Sequence, residues 1–394
     1  MNRHFCVLSS ILALLLTTCI PAASPAVPSV SLAPAPNSPL GILAYSIAIA
    51  DVNGDHHQDL ITVAEHLQVF LGDGTGRFRT APDFDLDIKG HATEMSLADV
   101  DGDGRLDVII AEHDQYYVSV FLGDGKGKFT PSPRSPFWPK RGDHPHTHSL
   151  LLCDLNNDKK LDIITANNAD NDIAVMLGDG RGGFSSAAKS VFPCGPSPYP
   201  LAAADVNEDG NLDILVPNAK PDLCTLTVLL GNGKGEFRPS PSSPIKIPAP
   251  ARDVYYVAVA DLNGDGHVDV LLDGNHDDCA SILLGDGHGN FIPAPKSPLH
   301  MGNRGWNLAV LDYDHDGTLD LVSVNERDIR IHWGDGHGWF KPDPLIIPSG
   351  GKGCWKLAMG DLNEDGFLDV VTPNVESKDL TILLSRNGAK RGKP

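Results

Sequence analysis

A nine-residue acidic pattern, Asp-x-Asx-x-Asp-x-x-x-Asp, occurs seven times along the chain. Its leading aspartates are spaced 48 to 56 residues apart. A second pattern, Gly-Asx-Gly-x-Gly-x-Phe, follows each of the first six copies. A period of this length means that the chain builds its fold from copies of one supersecondary unit, each of which buries its apolar surface against its neighbours.

Each unit is predicted to consist of four strands. An alternating apolar segment such as 46–50 precedes the leading aspartate, and a β-branched run such as 107–111 follows the acidic pattern. A third run ends at the Gly-Asx-Gly pattern, which supplies the positive φ angles of a tight hairpin, and a proline-containing fourth strand follows. Repeats of four strands and about 50 residues predict an all-β, seven-bladed β-propeller.

These repeats resemble the FG-GAP/VCBS repeats of integrin α subunits and of secreted bacterial-type repeat proteins. The resemblance covers residues 31–385. It implies a propeller with calcium in the loop between the first and second strand of each blade. It implies no single activity, because the family serves in adhesion, in lectin-like binding and in accessory domains of enzymes.

The seven acidic loops, which run from the leading to the closing aspartate of each pattern, have the chemistry of a calcium site. A chain that coils around a cation turns alternate side chains inward, and Ca²⁺ prefers carboxylate and carbonyl oxygens. The loops lack the length and the flanking helices of an EF-hand. We therefore expect up to seven structural Ca²⁺ ions. The predicted side-chain ligands are Asp51, Asn53, Asp55 and Asp59; Asp99, Asp101, Asp103 and Asp107; Asp154, Asn156, Asp158 and Asp162; Asp205, Asn207, Asp209 and Asp213; Asp261, Asn263, Asp265 and Asp269; Asp312, Asp314, Asp316 and Asp320; and Asp361, Asn363, Asp365 and Asp369.

Two acidic loops depart from the others at their sixth position. Five loops have glycine there, which suits a sharp turn, whereas blade 1 has His56 and blade 3 has Lys159. Lys160 adds a further positive charge in blade 3. The loops of blades 1 and 3 are therefore predicted to bind calcium most weakly.

The formal net charge of −20 argues against a nucleic-acid partner. Much of it comes from the acidic loops, so it indicates metal sites and not a basic partner.

Residues 1–26 have the features of a secretory signal, and 27–30 read as a short linker. We expect a monomer that is secreted or periplasmic and has no transmembrane segment. Cys19 sits in a weak match to a lipoprotein box, which leaves lipid anchoring as an alternative.

The last blade lacks a fourth strand of its own, because after Ser385 the chain ends in the basic tail 386–394. The segment LAPAPNSPL, residues 32–40, matches the fourth-strand segment FIPAPKSPL, residues 291–299, at six of nine positions. The N-terminal segment is therefore predicted to close the ring as the last strand of blade 7. The alternative is a linker.

A candidate ligand site lies at the end of the blades opposite the acidic loops. Six residues before the leading aspartates, six of seven positions are aromatic or histidine, and polar residues recur just after the second strands. Together these residues would line the mouth of the propeller's central channel, and such a surface suits sugars or small polar ligands. The alternative is that the rings plug the channel and the polar residues cap strand ends. The predicted contact residues are Tyr45, His148, Tyr199, Tyr255, Trp306, Trp355, Glu112, Asn167 and Asn325.

Two smaller motifs lie near the same face. His144, His146 and His148 have a spacing that suits a transition metal, with a solvated turn as the alternative. Cys194 and Cys224 flank the first two strands of blade 4, which predicts a disulfide in an exported protein.

The sequence thus favours a binding or interaction module whose partner is a glycan or an extracellular protein. The alternative function is a polysaccharide lyase or hydrolase that acts at the channel mouth.

Overall fold

The structure is a computed structural model that describes residues 30–82, 84–88, 92–113, 117–139, 146–220, 224–248, 254–274, 278–302 and 307–387. Within these ranges the chain forms 31 β-strands and no α-helix, arranged as seven small antiparallel sheets. The sheets surround a common axis with the first strand of each sheet innermost. The predicted all-β, seven-bladed propeller is therefore confirmed. The predicted signal and linker, 1–26 and 27–30, lie almost entirely outside the described residues.

The strands follow the repeat, and β1 (Val30–Pro34) precedes the first blade. Blade 1 contains β2 (Ser46–Ala50), β3 (Asp59–Val63), β4 (His66–Gly72), β5 (Phe78–Thr80) and β6 (Leu86–Asp87). Blade 2 contains β7 (Ala92–Ala98), β8 (Asp107–Glu112), β9 (Tyr117–Gly123) and β10 (Phe129–Pro131). Blade 3 contains β11 (Thr147–Cys153), β12 (Asp162–Asn167), β13 (Asp172–Gly178) and β14 (Phe184–Pro193).

The remaining blades repeat this order. Blade 4 contains β15 (Ala202–Ala204), β16 (Asp213–Asn218), β17 (Thr225–Gly231), β18 (Phe237–Pro239) and β19 (Ile245–Lys246). Blade 5 contains β20 (Val257–Ala260), β21 (Asp269–Gly274), β22 (Cys279–Gly285), β23 (Phe291–Pro293) and β24 (Leu299–His300). Blade 6 contains β25 (Asn307–Leu311), β26 (Asp320–Val324), β27 (Asp328–His332) and β28 (Leu345–Pro348). Blade 7 contains β29 (Ala358–Gly360), β30 (Asp369–Asn374) and β31 (Asp379–Asn387).

The hydrophobic core lies between blades. Successive side chains of a strand point to opposite faces. In β3, therefore, Leu60 packs toward blade 7, whereas Ile61 packs toward blade 2. Seven apolar clusters fill the seven interfaces in this way, including the one between blades 7 and 1. Each blade is thus stabilised by both neighbours, which makes closure of the ring important for the whole fold.

The N-terminal segment closes the ring, as the sequence predicted. Strand β1 pairs antiparallel with β31, from Val30 opposite Asn387 to Pro34 opposite Leu383. Farther along, the Ser38 hydroxyl accepts a hydrogen bond from the Ile382 N–H at 2.9 Å. Serines at the same place in three other blades accept the equivalent bond from their third strands, namely Ser135, Ser243 and Ser297. Strand β1 is therefore the fourth strand of blade 7, and residues 35–40 continue along β31 through Ser38 and a bridge from Leu40 to Leu380, so the segment is not a linker.

A repeated backbone hydrogen bond ties neighbouring blades together. In blade 2, the N–H of Gly127 at the tip of the last hairpin donates to the carbonyl of Val52 in the acidic loop of blade 1, at 3.0 Å. The equivalent bonds join Gly182 to Val100, Gly235 to Leu155, Gly289 to Val206, Gly338 to Leu262, and Gly76 to Leu362. Blade 7 has the chain termini in place of this hairpin. There the Tyr313 hydroxyl of blade 6 donates to the Leu368 carbonyl at 3.0 Å instead.

Candidate functional site: the acidic loops and the opposite face

The acidic loops fold around their own aspartates. In blade 5, the Asp261 carboxylate accepts hydrogen bonds from the N–H groups of Gly264 and Gly266, both at 2.8 Å. Asn263 Oδ1 accepts from the Asp265 N–H, also at 2.8 Å. Corresponding bonds recur in the other blades, for example from Gly366 to Asp361 and from Asp365 to Asn363. These bonds wrap the backbone of each loop around the carboxylate of its leading aspartate.

The closing aspartate of each loop is buried. In blade 5, Asp269 Oδ2 accepts from the Leu262 N–H and Oδ1 from the Gly285 N–H, both at 2.9 Å. All seven closing aspartates make this pair of bonds and are at most 1% exposed. Burial raises their carboxyl pKa values to about 6 or about 7. A cation beside each group would favour the ionised carboxylate and offset this cost.

Two loops gather three carboxylates within 4.8 Å of one another. They are the loops of blades 2 and 6, the two that have aspartate at the third position where the others have asparagine. The groups are Asp99, Asp101 and Asp107, and Asp312, Asp314 and Asp316. An oxygen-only donor set around a buried carboxylate is the ligand chemistry that a hard cation such as Ca²⁺ prefers.

The sixth position of the loop requires a left-handed backbone. The glycines there have φ angles of 83° to 91°, and His56 and Lys159 adopt 70° and 67°. A residue with a Cβ pays a steric cost in this left-handed region, whereas glycine does not. His56 of blade 1 and Lys159 of blade 3 therefore carry a backbone strain that the glycines of the other five loops do not. In blade 3, Lys160 Nζ also lies 3.1 Å from Asp158 Oδ2, one of the predicted metal ligands.

At the opposite end of the blades, side chains from several blades meet around the axis. The rings of His148, Tyr199 and Tyr255, from blades 3, 4 and 5, form a continuous series with centroid separations of 4.2 and 4.5 Å. All three predicted residues are half-buried. The structure thus brings these three side chains together at one face.

A buried ion pair that sequence reasoning missed lies beside these rings. Lys356 Nζ of blade 7 donates to Glu94 Oε2 of blade 2 at 2.8 Å, and it lies 5.3 Å from the centroid of the Tyr256 ring of blade 5. Burial opposes the charge of Lys356, but the Glu94 carboxylate raises the pKa of the amine above its ordinary value. The pair skips blade 1 and so connects blades that are not neighbours. It packs the channel at this face.

The predicted polar residues serve the blades themselves. Asn167 Nδ2 donates to Asp172 Oδ1 at 2.7 Å within one hairpin, and Asn325 accepts from the N–H of Asp328 at 3.0 Å. Glu112 accepts from the Ser119 hydroxyl of the adjacent strand. All three side chains are at most 3% exposed. The structure therefore places them at strand ends, away from the surface of the mouth.

The other predicted contact residues are dispersed. Tyr45 is half-buried, and its N–H donates to the Val63 carbonyl at 2.8 Å. Trp355 is 41% exposed at the start of blade 7. Trp306 lies outside the described residues. Among the predicted aromatic residues that are described, Trp355 offers the most accessible ring.

A second aromatic surface was missed because it lies at the outer rim. Trp138 is 54% exposed and packs edge-on against Tyr117 at 5.7 Å. It lines a cleft of about 860 Å³ between blades 2 and 3, together with Ser186 and Ser190. The only sequence signal for this cleft was the segment PFWP, residues 136–139.

The predicted disulfide is not formed in the structure. Cys194 and Cys224 are both thiols. The Cys224 sulfur lies 3.7 Å from the carbonyl oxygen of Lys220, to which it donates within its own loop. Burial raises the pKa of the Cys194 thiol to about 12. The similar position of the two cysteines along blade 4 was therefore insufficient to predict a bond.

Comparisons with known proteins place this fold among binding proteins and enzymes alike. The human T-cell immunomodulatory protein is 27% identical over 290 residues, which cover 69% of this chain and 43% of the human protein. The chain therefore spans less than half the length of that relative. A lectin of Agrocybe aegerita that recognises non-reducing terminal N-acetylglucosamine has a similar fold, with a TM-score of 0.54 and 21% identity over 78% of this chain and 80% of the lectin. Virginiamycin B lyase of Staphylococcus aureus is similar with a TM-score of 0.51 and 12% identity over 90% of this chain and 99% of the lyase.

None of the described residues forms a helix with the length and hydropathy of a membrane span.

The FG-GAP-like repeat matches residues 51–110, 99–165, 154–216, 221–272 and 312–372. These segments include all seven acidic loops and most of the chain. The chain therefore belongs to the FG-GAP-like repeat family.

Proposed function

We propose that this protein is a secreted or periplasmic, monomeric interaction module that binds a glycan or an extracellular protein. In this proposal, Ca²⁺ in the seven acidic loops holds the propeller rigid, and the ligand binds at the opposite face. The observation that carries the proposal is the division of chemistry between the two ends of the blades. Oxygen donors line the loops at one end, whereas the contacting rings of His148, Tyr199 and Tyr255 and the exposed Trp355 lie at the other.

The aromatic face has the chemistry of a surface that binds sugars. Partly exposed aromatic rings can pack against the apolar face of a pyranose, while polar groups beside them bind its hydroxyls. Tyr199 and Tyr255 provide such rings, and Trp355 adds an exposed indole. The fold shared with a lectin is consistent with this use. The relationship to T-cell immunomodulatory protein is consistent with an interaction module.

Hydrolysis or elimination on a polysaccharide would need accessible acid and base groups at this face. Two carboxylates near this face are already engaged: Glu94 is paired with Lys356, and Glu112 is bonded to Ser119. Both are at most 5% exposed. We therefore favour binding over catalysis.

A glycan array with the calcium-loaded protein tests this function. For each glycan that the wild type binds, we expect Trp355→Ala to lower the affinity about five- to thirtyfold. One aromatic contact contributes about 1 to 2 kcal/mol to the binding free energy. Trp138→Ala is the matched control, since it removes an exposed tryptophan from the outer rim. If Trp138→Ala abolished binding and Trp355→Ala did not, the rim cleft would be the site. Depolymerisation of a bound glycan would favour the enzyme.

The proposed calcium function also predicts the effect of relieving the strained sixth position. Lys159→Gly is expected to raise the calcium affinity of the blade 3 loop and to stabilise the protein by about 0.5 to 1 kcal/mol, the steric relief less the entropy cost of glycine. Calcium titration and urea unfolding measure the two effects. Lys159→Ala is the control, since it removes the same charge but keeps a Cβ at a φ of 67°. Equal gains in both variants would assign the effect to charge, and no gain in either would contradict the predicted weakness of blade 3.

A further inference from the structure

Three histidines from two blades converge on the face opposite the acidic loops. His113 directly follows strand β8 of blade 2, whereas in blade 3 His146 directly precedes β11 and His148 is the second residue of that strand. Each offers a ring nitrogen, and the three nitrogens lie within 4.8 Å of one another. The ring centroids are 3.7 Å apart for His113 and His146, 4.7 Å for His113 and His148, and 4.4 Å for His146 and His148.

The local structure of β11 explains this convergence. The pairing of β11 with β12 shifts register between Thr147 and Ser149, so His148 occupies a bulge. A bulge redirects the side chain at that point, and here both histidines of blade 3 contact His113 at the end of β8. The His146 backbone is held by a bond from the Asn168 N–H to its carbonyl, at 2.9 Å. His113 Nε2 and His146 Nε2 face each other directly.

We propose that His113, His146 and His148 form a binding site for a first-row transition metal ion of the zinc class. Imidazole nitrogens are preferred donors for Zn²⁺, Cu²⁺ and Ni²⁺, whereas Ca²⁺ takes oxygen ligands. The site is therefore chemically distinct from the acidic loops, which lie at the other end of the same strands. Three imidazoles leave one position of a tetrahedral zinc ion for water or a ligand.

The sequence pattern indicated only part of this site. His146 and His148 were predicted together with His144, which lies outside the described residues. The structure supplies His113, which is 33 residues before His146 and belongs to another blade. A metal held by these residues would link blade 2 to blade 3. It would also lie close to Tyr199, whose ring packs on His148 at 4.2 Å.

Zinc titration of the full chain in excess Ca²⁺ tests the proposal, because the excess Ca²⁺ occupies the oxygen sites. A chromophoric chelator serves as the competitor. We expect one tight equivalent of Zn²⁺ in the wild type. The variants His113→Gln and His146→Gln should each bind it at least about tenfold more weakly, since loss of even an outer-shell partner of a metal ligand costs about this much. His288→Ala is the control, because His288 is exposed near the acidic loops of blades 4 and 5.

Cobalt substitution supplies a readout that needs no variant. Co²⁺ bound by three imidazoles should give visible ligand-field absorption from the wild type, and an equivalent of Zn²⁺ should abolish it. The two histidine variants lie on different blades, so failure of one to fold leaves the other as the test. Unchanged zinc affinity in a folded His113→Gln or His146→Gln variant would overturn the proposal. So would a wild type that binds no Zn²⁺ in excess Ca²⁺.

Discussion

A chain without residues 31–39 is expected to lose most of the stability of the whole propeller. The deletion removes the pairing of β1 with β31 and the hydrogen bond from Ile382 to Ser38. Strand β31 then becomes an open edge of the sheet. It also removes Ala35 and uncovers the apolar groups that pack with it between blades 7 and 1, such as Leu380. Each lost hydrogen bond costs about 1 kcal/mol, and the free energy of unfolding of a protein is about 5 to 15 kcal/mol. The deletion should therefore remove most of the free energy of unfolding.

Urea unfolding followed by circular dichroism measures this effect. The single change Ser38→Ala is the graded control, because it removes one acceptor and is expected to cost about 1 kcal/mol. Adding a synthetic LAPAPNSPL peptide should restore part of the lost stability by supplying the missing strand in trans. A deletion variant with the urea midpoint of the wild type would show that the ring does not depend on its N-terminal strand.

The fold was predictable because its determinants are local and repeated. The alternation of apolar residues, the hairpin glycines and the acidic loops each occupy fewer than about twelve residues, and their six or seven copies reinforce one interpretation. Even ring closure left a local signal, since the segment that contains Ser38 resembles the fourth strands of other blades. The Ser38 hydroxyl makes the same bond as Ser135, which is why the same residues recur.

The opposite face was only partly predictable because it depends on contacts between distant blades. Glu94 and Lys356 are 262 residues apart, and nothing in either segment indicates the other. His113 joins His146 only because neighbouring blades bring the end of one second strand to the start of the next first strand. Conversely, Asn167 appeared to be a ligand residue because of its constant offset. That offset reflects its hydrogen bond within the hairpin.

Chelation of calcium is expected to lower the melting temperature by about 10 °C or more. A ligand at a hundredfold excess over its Kd contributes about 2.7 kcal/mol per site, and the proposal has seven sites. The structural reason lies in the closing aspartates. Asp269, for example, is fully buried and holds the loop to the third strand through the N–H groups of Leu262 and Gly285. Without a cation, these buried carboxylates carry an uncompensated cost of ionisation.

Thermal unfolding in EDTA, followed by addition of Ca²⁺ or Mg²⁺, distinguishes a specific role from general screening. Ca²⁺ should restore the melting temperature, and Mg²⁺ should restore less because it is reluctant to shed water for several protein ligands. Asp265→Asn removes one predicted ligand charge while leaving Asp269 in place, and should lower the number of bound Ca²⁺ ions by one. Asp286→Asn is the matched control, because Asp286 is an exposed aspartate in the hairpin that follows the same loop. A melting temperature that EDTA leaves unchanged would contradict a structural role for calcium, since seven clusters of carboxylates would then be stable without a counter-ion.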